Sequence, residues 1–243
     1  MNENIATITP TRGDRPQFVS IAKKLIKLQT RQPDEVIIVD DPANSDAVDI
    51  NWRYHEGCRR AIEKGCDLLI FWEDDDYYAP HYIEALVAAY RTFIPQPLVF
   101  GLGDTIYYNM RLRKWSKIIH PGRASAMNTL VSSEVYHHFP WSQDNSKVYD
   151  SVHGAGFFDR QLWDWAQKEG VGKTISTDIS SPWSIGIKHG IGKCGGSHHD
   201  TKESSWLVPL KMKDPDLSWL RSHVRPEIFP LYEKLAQDLH YSR

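Results

Sequence analysis

Over roughly its first hundred residues the chain alternates short apolar runs with amphipathic stretches at helical spacing, and this alternation constrains the fold more than any other feature. Ile5 to Thr9 reads as a strand. After Pro16, which suits a first helical turn, Phe18, Ile21, Ala22 and Leu25 recur on one helical face. Val36 to Val39 is a second apolar run and ends in Asp40 and Asp41. A helix pattern through Arg59 to Lys64 closes on Gly65, and a third strand, Leu68 to Trp72, runs into Glu73, Asp74, Asp75 and Asp76. Pro80 opens another helix with Ile83, Leu86, Val87 and Tyr90 on one face; Pro95 and Pro97 separate it from the strand Leu98 to Phe100. A β-α-β-α-β-α-β order predicts an α/β fold, a central, mostly parallel sheet flanked by helices, with ligands at the carboxyl ends of the strands. Asp40-Asp41 and the acidic run both stand at such ends.

The second half is less regular. Ile106 to Ile119 reads as a hairpin around a basic turn, Asn128 to Val131 as a strand, Gly156 to Lys168 as a helix, and Ile228 to Leu239 as a short terminal helix. Beyond Pro182 the pattern predicts loop, including a glycine-rich stretch from Ser184 to Lys193 lying after the last strands. With no repeat, linker or low-complexity tract, a single domain over 1–243 is expected, with a regularly alternating half to residue 103 and a less regular half over 104–243. A formal net charge of −2 excludes a surface that is basic throughout, so any anionic partner is held locally. The three cysteines show no metal spacing, and there is neither a signal-peptide pattern nor an apolar run of about 18 residues. A cytoplasmic protein without a membrane segment is expected.

Four consecutive acids after an apolar strand repel one another unless something cationic relieves them. Mg²⁺ or Mn²⁺, held by one or two carboxylates and completed by phosphate oxygens, would do so; a solvated acidic loop is the competing reading.

Three segments carry a resemblance: Ile5-Ala-Thr-Ile-Thr-Pro-Thr-Arg12, Val36-Ile-Ile-Val-Asp-Asp41, and Phe71-Trp-Glu-Asp-Asp-Asp-Tyr-Tyr-Ala-Pro80. In order and spacing they resemble the signatures of GT-A-fold glycosyltransferases of the family 2 type, which include compact bacteriophage members. The resemblance implies a Rossmann-like GT-A domain and transfer of a sugar from a nucleotide-diphosphate donor, with UDP-sugars favoured. It makes Asp75 the leading ligand of Mn²⁺ or Mg²⁺, with Asp76 in support, and turns Glu73, which replaces the usual first aspartate, toward the ribose, with Asp74 beside it. Thr9, Thr11 and Arg12 would surround the nucleotide, and Asp40 or Asp41 would bind base or ribose. For the two aspartates a simple turn after the strand is the alternative.

The resemblance continues through Ala126 to Glu134, beneath an acceptor site, and through Gly156-Phe-Phe-Asp-Arg-Gln-Leu-Trp163, similar to the segment carrying the general base of inverting members. Phe158 stands where a glutamate is usual, so that role falls to Asp159, which equally suits a helix cap. Lys188 would neutralise the leaving diphosphate, and His189 or His198 would complete a metal shell, although a histidine is more often a packing residue.

Arg111, Arg113, Lys114, Lys117 and Arg123 surround Trp115, with Tyr107 and Tyr108 just before. This pattern suits a phosphodiester acceptor, and with it a bacteriophage-type transferase modifying DNA bases in a bacterial or infected cell, in place of an acceptor glycan. A charged hairpin whose aromatics pack on the sheet fits equally. Two further classes stay open: a nucleotidyltransferase, disfavoured by the single glycine in Thr11-Arg-Gly-Asp-Arg15, and a non-catalytic sugar- or nucleic-acid-binding module.

Overall fold

The computed structural model describes residues 3–11, 15–42, 49–141, 158–191 and 212–241. Its elements are β1 (Ile5–Pro10), α1 (Pro16–Lys27), β2 (Glu35–Val39), α2 (Asp49–Glu63), β3 (Leu68–Phe71), β4 (Tyr77–Tyr78), α3 (Tyr82–Tyr90), β5 (Val99–Leu102), β6 (Asp104–Asn109), β7 (Lys114–Ile119), β8 (Thr129–Ser132), α4 (Val135–His138), α5 (Phe158–Lys168), β9 (Gly172–Ile175), β10 (Ser184–Lys188), β11 (Met212–Lys213), α6 (Ser218–His223) and α7 (Phe229–Tyr241).

Six strands form the central sheet in the order β2-β1-β3-β8-β5-β9, and β8 is the one that runs against the others. The expected mostly parallel sheet flanked by helices is therefore the architecture observed. Side-chain alternation divides the core between its two faces. Ile5, Leu68, Ile70 and Phe100 pack with Phe18, Ile21 and Leu25 of α1, Ile83 and Leu86 of α3, and Tyr232 and Leu235 of α7. Ala6, Ile8, Leu69, Phe71 and Val131 face Tyr54, Cys58 and Ala61 of α2, and Phe158, Leu162 and Trp163 of α5. Gly57 lets α2 lie directly on β1: a Cβ there would stand 2.3 Å from Ile8 Cγ2.

A second sheet, β11-β7-β6-β10-β4, was not expected from the sequence. The supposed loop from Ser184 contains β10, parallel to β6 and antiparallel to β4. Its short run, Ser-Ile-Gly-Ile-Lys, resembles a loop locally because Gly186 interrupts it. That glycine is required where Tyr107 crosses, since a Cβ would lie 2.6 Å from the ring. Helix α2 also begins about ten residues before the predicted pattern, because Arg53 and Asp49 are buried as an ion pair on a face expected to be polar.

Two of the places where the chain passes from the central sheet to the second are tight: 72–76, from β3 to β4, and Gly103, from β5 to β6. The first of these is the acidic run. A buried polar network supports the junction: Asn128 donates to Thr105 Oγ1 (2.9 Å) and accepts from Ser184 Oγ (2.5 Å), while Trp163 Nε1 donates to Thr129 Oγ1 (3.1 Å).

Candidate functional site

The crossing leaves β3 beside β1, and the β4–β10 pairing brings Lys188 and His189 close to its acids. Asp74, Asp75 and Asp76 are at most 9% exposed and His189 is 1% exposed, so the solvated-loop reading fails.

Asp75 Oδ2 accepts hydrogen bonds from Arg15 Nη1 (2.8 Å) and His189 Nε2 (2.9 Å), and Asp74 Oδ1 accepts one from Arg15 Nη2 (2.8 Å). The Ile191 amide donates to His189 Nδ1 (2.9 Å), which makes Nδ1 the acceptor and leaves the neutral ring's proton on Nε2, facing Asp75. Phe18 stacks on the imidazole at 4.2 Å and fixes its plane. Asp76 Oδ1 accepts from the Ile187 amide at 2.7 Å, anchoring the run to β10.

Burial and the charge of Asp75 push Asp74 up to about 7. Burial, opposed by Lys188, pushes Asp76 up to about 6, and Glu73 rises through burial and the neighbouring Asp76. Burial would raise Asp75 as well, but its His189 hydrogen bond and the Arg15 charge hold it well below the usual carboxylate range. Burial would discharge Lys188, yet Asp76 and Glu73 keep its ammonium charged, 5.0 Å over the Tyr107 ring.

These residues suit a divalent cation on two counts. Burial and mutual repulsion raise Glu73, Asp74 and Asp76 even with Arg15 and Lys188 beside them, and a divalent cation would relieve that repulsion. Asp74 Oδ2 and Asp76 Oδ2 are buried without a well-formed hydrogen bond, although the Thr11 hydroxyl stands beside the first and the Glu73 carboxyl beside the second. Among the described residues no three His, Cys, Asp or Glu side chains converge on one point. Such a donor set suits a hard cation completed by phosphate oxygens.

At the end of β2, Arg53 donates to the carbonyls of Val39 (2.8 Å) and Asp41 (2.9 Å), and Arg60 takes the Asp41 carboxylate at 2.8 Å. Asp41 is thereby committed to α2, while Asp40 is exposed. Thr9 presents a buried hydroxyl without a well-formed hydrogen bond, and the Thr11 hydroxyl lies against Asp74. Arg12 and His198 lie outside the described residues.

Asp159 lies in the first turn of α5, and the Arg123 and Lys188 charges both act on it. Arg123 Nη1 stands 3.3 Å from its carboxylate, but burial outweighs both cations and raises its pKa. Phe158, in the place of the usual glutamate, stacks on Tyr54 (4.4 Å) and Trp141 (5.7 Å) and meets Phe71 edge-on (5.5 Å). It is a core residue that seats the start of α5 beside β3.

Several members of the basic hairpin bind within the protein. Lys117 pairs with buried Asp104, Arg113 donates to the Pro215 carbonyl, and Trp115 stacks on Trp219 at 4.2 Å. The packing alternative therefore accounts for these side chains.

Sequence reading missed Arg15. Its signal was an anomaly: an arginine at the cap position just before the N-terminal proline of α1, where the helix dipole disfavours a cation and no capping bond forms.

The sequence matches no protein-family model and no curated protein. Among solved structures, the chain is similar to S. aureus TarS 1-349 in complex with UDP-GlcNAc, with 9% identity, a TM-score of 0.48, and coverage of 80% of this chain and 61% of that one. It is also similar to A197 from STIV, with 13% identity, a TM-score of 0.40, and coverage of 71% and 82%. A glycosyltransferase involved in glycosylation of the major capsid of PBCV-1 shows 10% identity, a TM-score of 0.39, and coverage of 73% and 83%. The chain thus spans less than two thirds of TarS 1-349. At these TM-scores the likenesses carry no argument about chemistry, which rests on the residues themselves.

Proposed function

We propose that this chain is a divalent-cation-dependent glycosyltransferase that moves a sugar, with inversion, from a nucleotide-diphosphate donor to an acceptor hydroxyl, UDP-sugars being favoured. The observation that carries the reading is the buried acid cluster whose mutual repulsion raises Glu73, Asp74 and Asp76, flanked by His189 and Lys188, with Asp159 within reach of the Lys188 charge. The three ordered motifs that resemble GT-A enzymes support it.

Asp75, with Asp74 or Asp76, would hold Mn²⁺ or Mg²⁺, which when bound supplies Lewis-acid charge to the diphosphate, while His189, expected from the sequence as a metal ligand, would instead orient Asp75 from its Nε2 proton. Thr9 and Thr11 would hydrogen-bond the donor, and Asp40, the more exposed of its pair, would take base or ribose. Lys188 would place its ammonium beside the leaving oxygens. Asp159 would accept the proton of the acceptor hydroxyl while that oxygen bonds to the anomeric carbon. The bond from that carbon to the diphosphate oxygen breaks in the same step, its electron pair leaving with the nucleoside diphosphate. A glycan acceptor is favoured over a modified DNA base, because Lys117, Arg113 and Trp115 are engaged inside the protein.

Incubation with a panel of nucleotide sugars and Mn²⁺ tests the reading through the product. Release of nucleoside diphosphate is expected, whereas pyrophosphate would show nucleotidyl transfer and binding without turnover a non-catalytic module. Asp75→Ala should cost at least about 100-fold in rate with the fold intact. A fully active, metal-independent Asp75→Ala protein would sink the proposal.

A further inference from the structure

We propose that Arg15 is a built-in counter-ion that occupies the carboxylates of the cation site, so that the chain takes up divalent cation and nucleotide diphosphate together and binds cation alone poorly. The inference rests on the metal-dependent reading above.

One guanidinium spans both carboxylates, with Nη1 on Asp75 Oδ2 and Nη2 on Asp74 Oδ1, each at 2.8 Å. Asp75 Oδ2 also receives His189, so its lone pairs are engaged. A cation approaching this oxygen must displace a hydrogen bond that is already made. Arg15 is 7% exposed, and drawing it off Asp74 and Asp75 costs a buried guanidinium two charge-assisted hydrogen bonds.

A diphosphate changes that balance. Its oxygens offer the planar fork a second bidentate partner, so Arg15 can leave the carboxylates without losing its compensation. The N-terminal end of α1 repels a cation, whereas a phosphate attracts it. Phe18 stacks on His189 and lies 5.4 Å beneath the Arg15 guanidinium, so one ring seats both groups that meet at Asp75.

Mn²⁺ binding to the wild type, Arg15→Gln and Arg15→Lys, measured by the loss of the free-ion electron paramagnetic resonance signal with and without saturating UDP, tests the idea. Comparing proteins at the same UDP concentration cancels complexation of Mn²⁺ by UDP in solution. Without UDP, Arg15→Gln should bind Mn²⁺ about tenfold more tightly than wild type, with Arg15→Lys between them, because one ammonium cannot span both acids. UDP should then raise Mn²⁺ affinity about tenfold more in the wild type than in Arg15→Gln. An arginine with a purely structural role would not tighten Mn²⁺ binding on removal. Equal or weaker binding by a folded Arg15→Gln protein, or by Arg15→Lys should the glutamine variant not fold, overturns the role of Arg15 and leaves the metal site standing. Absence of Mn²⁺ binding in all three proteins, with or without UDP, overturns the metal site and this proposal together.

Discussion

Two adjacent residues, Phe158 and Asp159, set the acceptor side of the site. Because burial raises the Asp159 carboxyl against the pull of Arg123 and Lys188, it holds its proton to higher pH than an ordinary aspartate. A base must be unprotonated, so transfer by the wild type should rise with pH through that raised value and fall away below it. Asp159→Asn should lower kcat by about 100-fold or more and abolish this acid limb, which a pH–rate profile would show. A variant that loses rate but keeps the limb would assign the titration elsewhere. Phe158→Glu, which would restore the residue usual in the resembled family, should confer no gain. The carboxylate would replace an aromatic side chain packed among Tyr54, Phe71 and Trp141, and urea unfolding should show a loss on the order of 3 kcal/mol.

At the scale of elements, the site depends on β10 lying against β4 and on α2 lying against β1. Gly57→Ala would force a methyl group within 2.3 Å of Ile8 Cγ2. Overpacking of this kind should cost about 1–3 kcal/mol, read from denaturant midpoints. In Gly186→Ala the added methyl would meet the Tyr107 ring at 2.6 Å and disturb the seat of the Lys188 ammonium. That variant should lose transfer rate out of proportion to its loss of stability, measured on the folded fraction. These two glycines differ in legibility. Gly57 lies two residues before the stretch, Arg59 to Lys64, that reads as helix in the sequence, whereas Gly186 reads locally as loop, and its pairing with Ile106 to Asn109 reveals a strand.

At the scale of the molecule, the acid cluster makes stability depend on pH and on cation. Asp74 and Asp76, raised to about 7 and about 6, bind protons more tightly folded than unfolded. Their contribution is present below the unfolded value near 4 and is lost as pH rises through the folded values. Asp75, held below its usual range, acts in the opposite sense and loses its contribution only in strong acid. Without cation the melting temperature should therefore fall between about pH 4 and pH 7. Mn²⁺ with UDP should restore most of the loss at pH 8 and little at pH 5; equal stabilisation at both would contradict this charge balance. The sequence by itself determined the alternating strands and helices, the mostly parallel sheet and the acids at its strand ends, because these follow from periodicities of two and 3.6 residues and from like charges in series. Only the tertiary structure decided the second sheet, the engagement of Asp41 by Arg60, the burial of Phe158 and the bridge from Arg15 to Asp74 and Asp75. Each of these joins groups distant in sequence, and local spacing carries no record of which charge closes on which across the fold.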